Sequence, residues 1–273
     1  VNEIKVIASR EIKIGFRNPW AYSFMALFTI FVLSLLLINS QHYISGYNST
    51  SATMLNLSLY LLPLMSLMLG SFSYTSDKED GSWELLSSYP LTTFPYIFGK
   101  YIGLVVVICT IIFVGFGISS LVGVAFGITL YYSTYLYLLF FSLMIAITFL
   151  TISVFVGTIA KNRWQALTID IGIWFFLIIA WPTILIAVLG FMPYTSIKAI
   201  LTVLTIINPA ELTRLFVVVK MGGGITLGPE YYNWMLWINS EWGGLVFFFI
   251  VIVFISLFIG LSNIIWERKR LHE

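Results

Sequence analysis

Two long stretches of this chain carry no Asp, Glu, Lys or Arg: Asn18 to Ser76 and Tyr101 to Ala160. A helix needs about 20 apolar residues to cross the hydrocarbon core of a bilayer. The first stretch therefore holds two spans, near 20–38 and 54–74, and the second holds two more, near 101–125 and 134–160. Between the members of each pair lie uncharged turns, NSQHYISGYNSTSAT (39–53) and GITLYYS (127–133). A fifth apolar run covers 167–190 and a sixth 243–266. Before the first span, VNEIKVIASREIKIGFRNP (1–19) is mixed. Ile4, Ile7, Ala8 and Ile14 can share one helical face, with Lys5, Lys13 and Arg17 on the others. That pattern predicts a helix lying on the inner leaflet, against the alternative of a frayed basic tail.

Composition agrees with the pattern. Of 273 residues, 59% are hydrophobic and 10% charged, against roughly 25% charged in an ordinary soluble domain. The excess of apolar surface excludes a soluble or disordered chain. A net charge of +2 excludes a dedicated nucleic-acid binder. The lone cysteine, Cys109, rules out an internal disulfide. The fold class is all-α integral membrane: one transmembrane domain over 1–273, with 75–100 and 191–242 as its long loops. Eleven basic residues fall in the N-terminal segment, the second and fourth loops and the tail, against three (Lys198, Arg214, Lys220) in the last external loop. The asymmetry predicts both termini in the cytoplasm and a multi-pass protein of the plasma membrane. Trp20, Tyr22, Trp164 and Trp266 would form the inner aromatic belt. Tyr131, Tyr132, Tyr135, Tyr231, Tyr232, Trp234, Trp237 and Trp242 would form the outer one.

The second loop carries the clearest candidate chemistry. Asp77, Glu79, Asp80 and Glu84 make it acidic, against the usual inner-face bias. Ser82 before Trp83, Glu84, Leu85 and Leu86 predicts a short capped helix with an apolar face, which Pro90 ends and after which Pro95 bends the chain. An apolar face flanked by acids suits a protein partner. An amphipathic helix on lipid is the alternative, and anionic headgroups would repel its acids.

The run Asp80-Gly81-Ser82-Trp83-Glu84-Leu85-Leu86-Ser87-Ser88-Tyr89-Pro90-Leu91, followed by Gly99-Lys100-Tyr101-Ile102-Gly103, resembles permease subunits of ABC-2 type (type V exporter-like) transporters. Ser9-Arg10-Glu11 with Phe16-Arg17-Asn18 is similar to the family's basic N-terminal helix, and Gly172-Ile173-Trp174-Phe175 to the start of its fifth span. Asn208-Pro209-Ala210-Glu211-Leu212-Thr213-Arg214-Leu215 resembles the external segment of the NosY-like branch, linked to maturation of multicopper enzymes such as nitrous oxide reductase. Ser87 and Ser88 depart from the Leu-rich pattern of that family. The resemblance implies a dimer of permeases working with a separate ATPase that holds ATP and Mg²⁺. Asp77, Glu79, Asp80, Gly81, Trp83, Glu84, Leu85, Leu86, Tyr89 and Pro90 would then belong to a coupling helix. An extracytoplasmic accessory protein is a further implied partner.

Other residues narrow the chemistry. No G-x-x-x-x-G-K-[ST] phosphate loop occurs, so this chain supplies no ATPase site and no cofactor of its own. Neither a hydrolase triad nor a His-Glu-x-x-His zinc motif is present. His42 and His272 fall on opposite sides and cannot share a metal. Met54, Met65 and Met68 could form a soft Cu(I) path, but methionine is also a common gap-filler. Asp170 is the one acid inside a span; it reads as a gate, proton site or ion-pair partner, or as an interfacial residue near Lys161 and Arg163. Within 191–242, the runs 200–207 and 215–219 are too short to span and predict helices at the outer surface or dipping part-way. With Asn208, Pro209 and Arg214 they would form a cap. The function expected is a permease coupling ATP hydrolysis elsewhere to transport or mechanical transmission. An exporter of a peptide, lipid-like or drug-like cargo, and a passive anchor or channel, are the alternatives.

Overall fold

The computed structural model describes residues 2–38, 46–81, 93–127 and 131–272. Among these the chain is helical throughout its ordered elements. They are α1 (Asn2–Arg17), α2 (Pro19–Ile38), α3 (Ser49–Glu79), α4 (Thr93–Ala125), α5 (Tyr132–Ile159), α6 (Arg163–Trp174), a π-helical turn (Phe175–Ala180) and α7 (Trp181–Gly190). Then come α8 (Tyr194–Ile207), α9 (Pro209–Lys220), two 3₁₀ turns (Gly223–Leu227 and Pro229–Tyr231), α10 (Tyr232–Asn239) and α11 (Gly243–His272). Among the described residues six helices are long and apolar enough to cross a membrane, within Pro19–Leu37, Ser49–Glu79, Thr93–Ala125, Tyr132–Ile159, Arg163–Gly190 and Gly243–Arg268. All six apolar runs of the sequence therefore become helices, but several extend beyond the apolar run.

The extensions have local causes. Helix α3 begins at Ser49 because Asn48 and Ser51 cap it reciprocally: the Ser51 N–H donates to Asn48 Oδ1 at 2.9 Å and the Asn48 N–H to Ser51 Oγ at 2.8 Å. Residues 49–53, which read as loop, thus join the helix. At its other end α3 runs to Glu79, and Gly81 follows with φ +67°, the left-handed conformation that glycine adopts without a Cβ clash. Pro95 does not break the chain. It sits in the first turn of α4, where its missing N–H has no intrahelical partner to lose.

The core lies where α3 crosses α5 and α4. Leu62, Leu67, Tyr74, Ile108, Phe141 and Phe149 are all inaccessible there. Small residues permit the approach: a methyl carbon built on Gly157 would stand 2.7 Å from Tyr74 Cβ. The α6–π–α7 span and α11 leave most of their surface uncovered within one chain. On helix α1, Ile7 and Ala8 pack on α4 at Gly99 and Gly103, while Ile14 is exposed along with Lys5, Val6, Ser9, Arg10, Lys13 and Arg17. Two belt tryptophans also differ: Trp266 and Trp234 are 1% and 6% exposed and belong to the core, whereas Trp20, Trp164 and Trp242 are exposed.

Candidate functional site

Lys100 sits at the centre of a buried ionic cluster. Its side chain is 2% exposed, about two turns into a spanning helix. An ammonium there must be neutralised and hydrogen-bonded. The Lys100 Nζ lies 2.5 Å from Asp77 Oδ2 and 3.4 Å from Glu11 Oε2, and it donates to the Ser73 carbonyl at 3.0 Å. Two of its N–H groups thus have acceptors, Asp77 and the Ser73 carbonyl, and Glu11 adds an ion pair. The Tyr96 hydroxyl donates to Asp77 Oδ2 at 2.6 Å, and the Ser73 hydroxyl donates to Glu11. Arg10, half-exposed, reaches Asp77 Oδ1 at 3.8 Å. The π faces of Tyr74 and Tyr96 lie 5.0 and 5.6 Å from the same ammonium.

Local sequence explains how three elements meet there. Gly99 and Gly103 form one small-residue face of α4, and α1 lies in it. A methyl carbon on Gly103 would stand 2.6 Å from Glu11 Cβ and 2.9 Å from the Ala8 carbonyl oxygen. Only glycine lets Glu11 come close enough to reach Lys100. Asp77 arrives from the last turn of α3. Lys100 thus ties α1 to both helices that flank residues 82–92.

Two further contacts fasten the same end of α3. Lys78 Nζ donates to the carbonyls of Gly157, Thr158 and Ala160 at 2.8, 3.0 and 2.7 Å, closing the C-terminal end of α5, and lies 4.7 Å from the Trp266 ring. Glu79 Oε2 pairs with Arg163 Nε at 3.0 Å while its Oε1 accepts from the Arg163 N–H at 2.8 Å, at the start of α6. Asp77 and Glu79 were expected as docking acids of the loop. Asp77 is instead a buried member of the triad and Glu79 is committed to α6. Asp80 caps α3 and remains exposed, and Gly81 follows it. Trp83, Glu84, Leu85, Leu86, Tyr89 and Pro90 lie outside the described residues.

Asp170 is 0% exposed, packed against α3. The Ser71 hydroxyl donates to its Oδ2 at 2.5 Å, and its Oδ1 has no hydrogen-bond partner. Among the described residues no cation lies within ion-pair distance of it, Arg163 being paired with Glu79. One helical turn on, Trp174 Nε1 donates to the Tyr60 carbonyl at 2.8 Å, so the first half of this span is pinned to α3.

The Asn208-Pro209 pair has a definite mechanical role. Helices α8 and α9 bend by 107° at Asn208. Its Oδ1 caps α9 by accepting from the Ala210 N–H at 3.0 Å, with Pro209 in the first turn. Its Nδ2 donates to the Leu177 carbonyl at 2.8 Å, inside the π turn. Pro182 has no N–H to offer that turn, and Asn208 fills the place. Arg214 pairs with Glu211 at 2.6 Å. Burial, with the Glu211 carboxylate near, pushes the Tyr231 hydroxyl up to about 12. Asn208, Pro209 and Arg214 therefore lie together on α9 and its start, while Asp170 and the Lys100 cluster sit elsewhere in the bundle.

No group of three His, Cys, Asp or Glu able to hold a metal occurs among the described residues. Met54 and Met65 are buried in the hydrophobic core. Sequence reasoning missed Glu11, Ser73, Tyr96 and Lys78 as partners in the ionic network. The available signal was a Gly-Lys-x-x-Gly spacing one helix away from lone acids at span ends.

Six long apolar helices, a buried ionic clasp at one end and a bent helical cap define a multi-pass α-helical membrane protein. More particularly, the chain belongs to the ABC-2 family transporter proteins, whose model matches residues 5–219. It is 23% identical over 225 residues to the probable ABC transporter permease protein NosY of Stutzerimonas stutzeri, covering 79% of this chain and 81% of that one. With the protein of the same description from Pseudomonas aeruginosa it shares 24% over 237 residues, 82% and 86% of the two chains. It is thus the permease subunit of an ABC transporter, of a kind that works with an ABC ATPase partner.

Proposed function

We propose that segment 75–100 is the coupling element through which a separate ATPase drives this permease, and that two identical copies enclose the working path. The supporting observation is the bridge made by Lys100: a push on residues 82–92 would reach α3 through Asp77, α4 directly, and α1 through Glu11. Because α1 leads straight into α2, the push then moves the first span as well. Both termini face the cytoplasm in this reading, which rests on the eleven-to-three basic asymmetry. Likeness to the two NosY permeases favours work in maturation of a copper enzyme of the nitrous oxide reductase type, with the α8–α10 cap meeting an accessory protein outside.

The test is recruitment of the ATPase by permease variants, normalised to permease in the membrane. Truncating an aromatic anchor at an interface costs about 2–4 kcal/mol, roughly 30- to 1000-fold in affinity. Trp83→Ala and Leu86→Asp are therefore expected to lose the ATPase, while Glu84→Lys loses less and Lys198→Ala retains it. Wild-type recruitment by both Trp83→Ala and Leu86→Asp would remove the coupling assignment.

A further inference from the structure

The fifth span is fastened to the second at three levels. Glu79 pairs with Arg163 at the start of α6, Ser71 meets Asp170 further along, and Trp174 Nε1 reaches the Tyr60 carbonyl at its end. The outer two contacts are an ion pair at a helix end and a neutral hydrogen bond. The middle one is incomplete. Asp170 is 0% exposed, its Oδ2 lies 2.5 Å from Ser71 Oγ, and its Oδ1 has no hydrogen-bond partner.

An ionised carboxylate offers about four lone-pair sites and, out of water, needs a cation or several donors. Among the described residues nothing packed against α6 supplies them. The charged groups of α3 are Asp77, Lys78 and Glu79, held by Lys100, by the α5 carbonyls and by Arg163. At a rise of about 1.5 Å per residue they stand roughly 9–12 Å along α3 from Ser71, and Tyr60 about 16 Å the other way. The Tyr74 hydroxyl donates to the Ile97 carbonyl. Helix α5 has no charged residue, and Tyr132, Tyr135 and Tyr137 stand at its end away from α6. The π turn has no titratable group, and Lys161, before α6, is exposed. A protonated carboxyl removes the difficulty: it shares one hydrogen bond with the Ser71 hydroxyl and leaves no charge in the core. Asparagine would hold that contact permanently, whereas aspartic acid holds it only while protonated.

A route for the proton lies alongside. A cleft of about 580 Å³ is lined by Met68, Leu69 and Phe72, which flank Ser71, and by Leu167, one turn before Asp170. We propose that Asp170 is a proton-binding site whose occupancy latches the fifth span to the second. With the proton bound, α6 packs on α3 through Ser71. When the O–H bond breaks and the proton passes to water in the cleft, the carboxylate keeps one neutral donor, and α6 leaves α3 to hydrate it. The π turn that follows α6 is the joint, with its Leu177 carbonyl held by Asn208. The packed form holds one proton more than the released form. The latch is therefore closed at low pH and weakens about tenfold per pH unit once the released carboxyl is ionised.

The experiment titrates the full-length permease in nanodiscs from about pH 5 to about pH 9. Infrared difference spectroscopy reads the protonated carboxyl, and Asp170→Asn and Asp170→Leu assign its band; either variant suffices if the other fails to fold. Release is read at Ala166→Cys, in a Cys109→Ala background, as the rate of reaction with a water-soluble maleimide. Ala166 is 0% exposed and lies one turn before Asp170 on α6. The rising thiolate fraction is common to all chains and divides out against the neutral variants. The expected result is a carboxyl band present at the acid end, missing from the neutral variants, and lost toward alkaline pH. Over the same range, labelling should rise at least about tenfold relative to the neutral variants. A carboxyl ionised throughout, one protonated throughout, or labelling that keeps step with the neutral variants at every pH would each overturn the latch. Neither readout involves the ATPase, so the outcome is independent of the coupling assignment.

Discussion

Replacing Lys100 by methionine removes the cation from a site that keeps both of its acids. Methionine fills nearly the same volume, so the change is one of charge rather than packing. Glu11 and Asp77 are 4% and 8% exposed and would retain only neutral donors, from Ser73 and Tyr96, plus Arg10 at 3.8 Å. Breaking a buried ion pair from one side costs about 3–5 kcal/mol, because the remaining charge stays desolvated. At roughly 2–4 °C per kcal/mol for a chain of this order of size, the thermal midpoint should fall by about 6–20 °C. The assay is thermal unfolding of the purified permease in nanodiscs, with exposed Lys161→Met as the surface control. Neutralising the whole cluster, as Lys100→Met with Glu11→Gln and Asp77→Asn, should recover most of the loss, since a buried triad and a neutral replacement of similar shape are often close in stability. That triple variant also separates folding from work: it should recruit the ATPase yet transmit less, read as lost dependence of ATP turnover on the permease. A midpoint for Lys100→Met within 2 °C of the wild type would refute the reasoning at its root, as would a triple variant no more stable than the single one.

Further outcomes follow from the same geometry. Gly103→Leu should destabilise by at least about 1–3 kcal/mol by forcing α1 off α4, since the added carbon meets the Ala8 backbone carbonyl; unchanged proteolytic protection of α1 would contradict this. Asn208→Ala should cost about 2–4 kcal/mol in thermal unfolding, from a lost cap and an orphaned Leu177 carbonyl, and Asn208→Asp should restore the cap alone. A reporter fused after Glu273 should read cytoplasmic and one inserted near Gly223 external; both on one side would end the six-span topology.

Much of the architecture is determined by composition along the chain. Apolar runs of about 20 residues must satisfy their backbone internally in a bilayer, so six helical spans are legible from hydropathy even though the fifth run carries Asp170. The Asn-Pro break between α8 and α9 is legible too, because Asn caps and Pro starts a helix whatever surrounds them. Span ends are a different matter. Asp77 and Glu79 look like loop acids, since a charge near a hydrophobic run ordinarily marks the boundary. They stay helical because Lys100 and Arg163, distant in sequence, neutralise them. Lys100 likewise reads as a membrane-edge lysine until α1 is seated on Gly99 and Gly103, which brings Glu11 to it. That protein encloses Asp170 does not follow from its position in the chain; the packing of α6 on α3 through Ser71 decides it. Hydropathy is a sum over neighbours in sequence and so is readable there. Pairing of buried charges depends on which helices touch and at what rotation, which only the packed bundle settles.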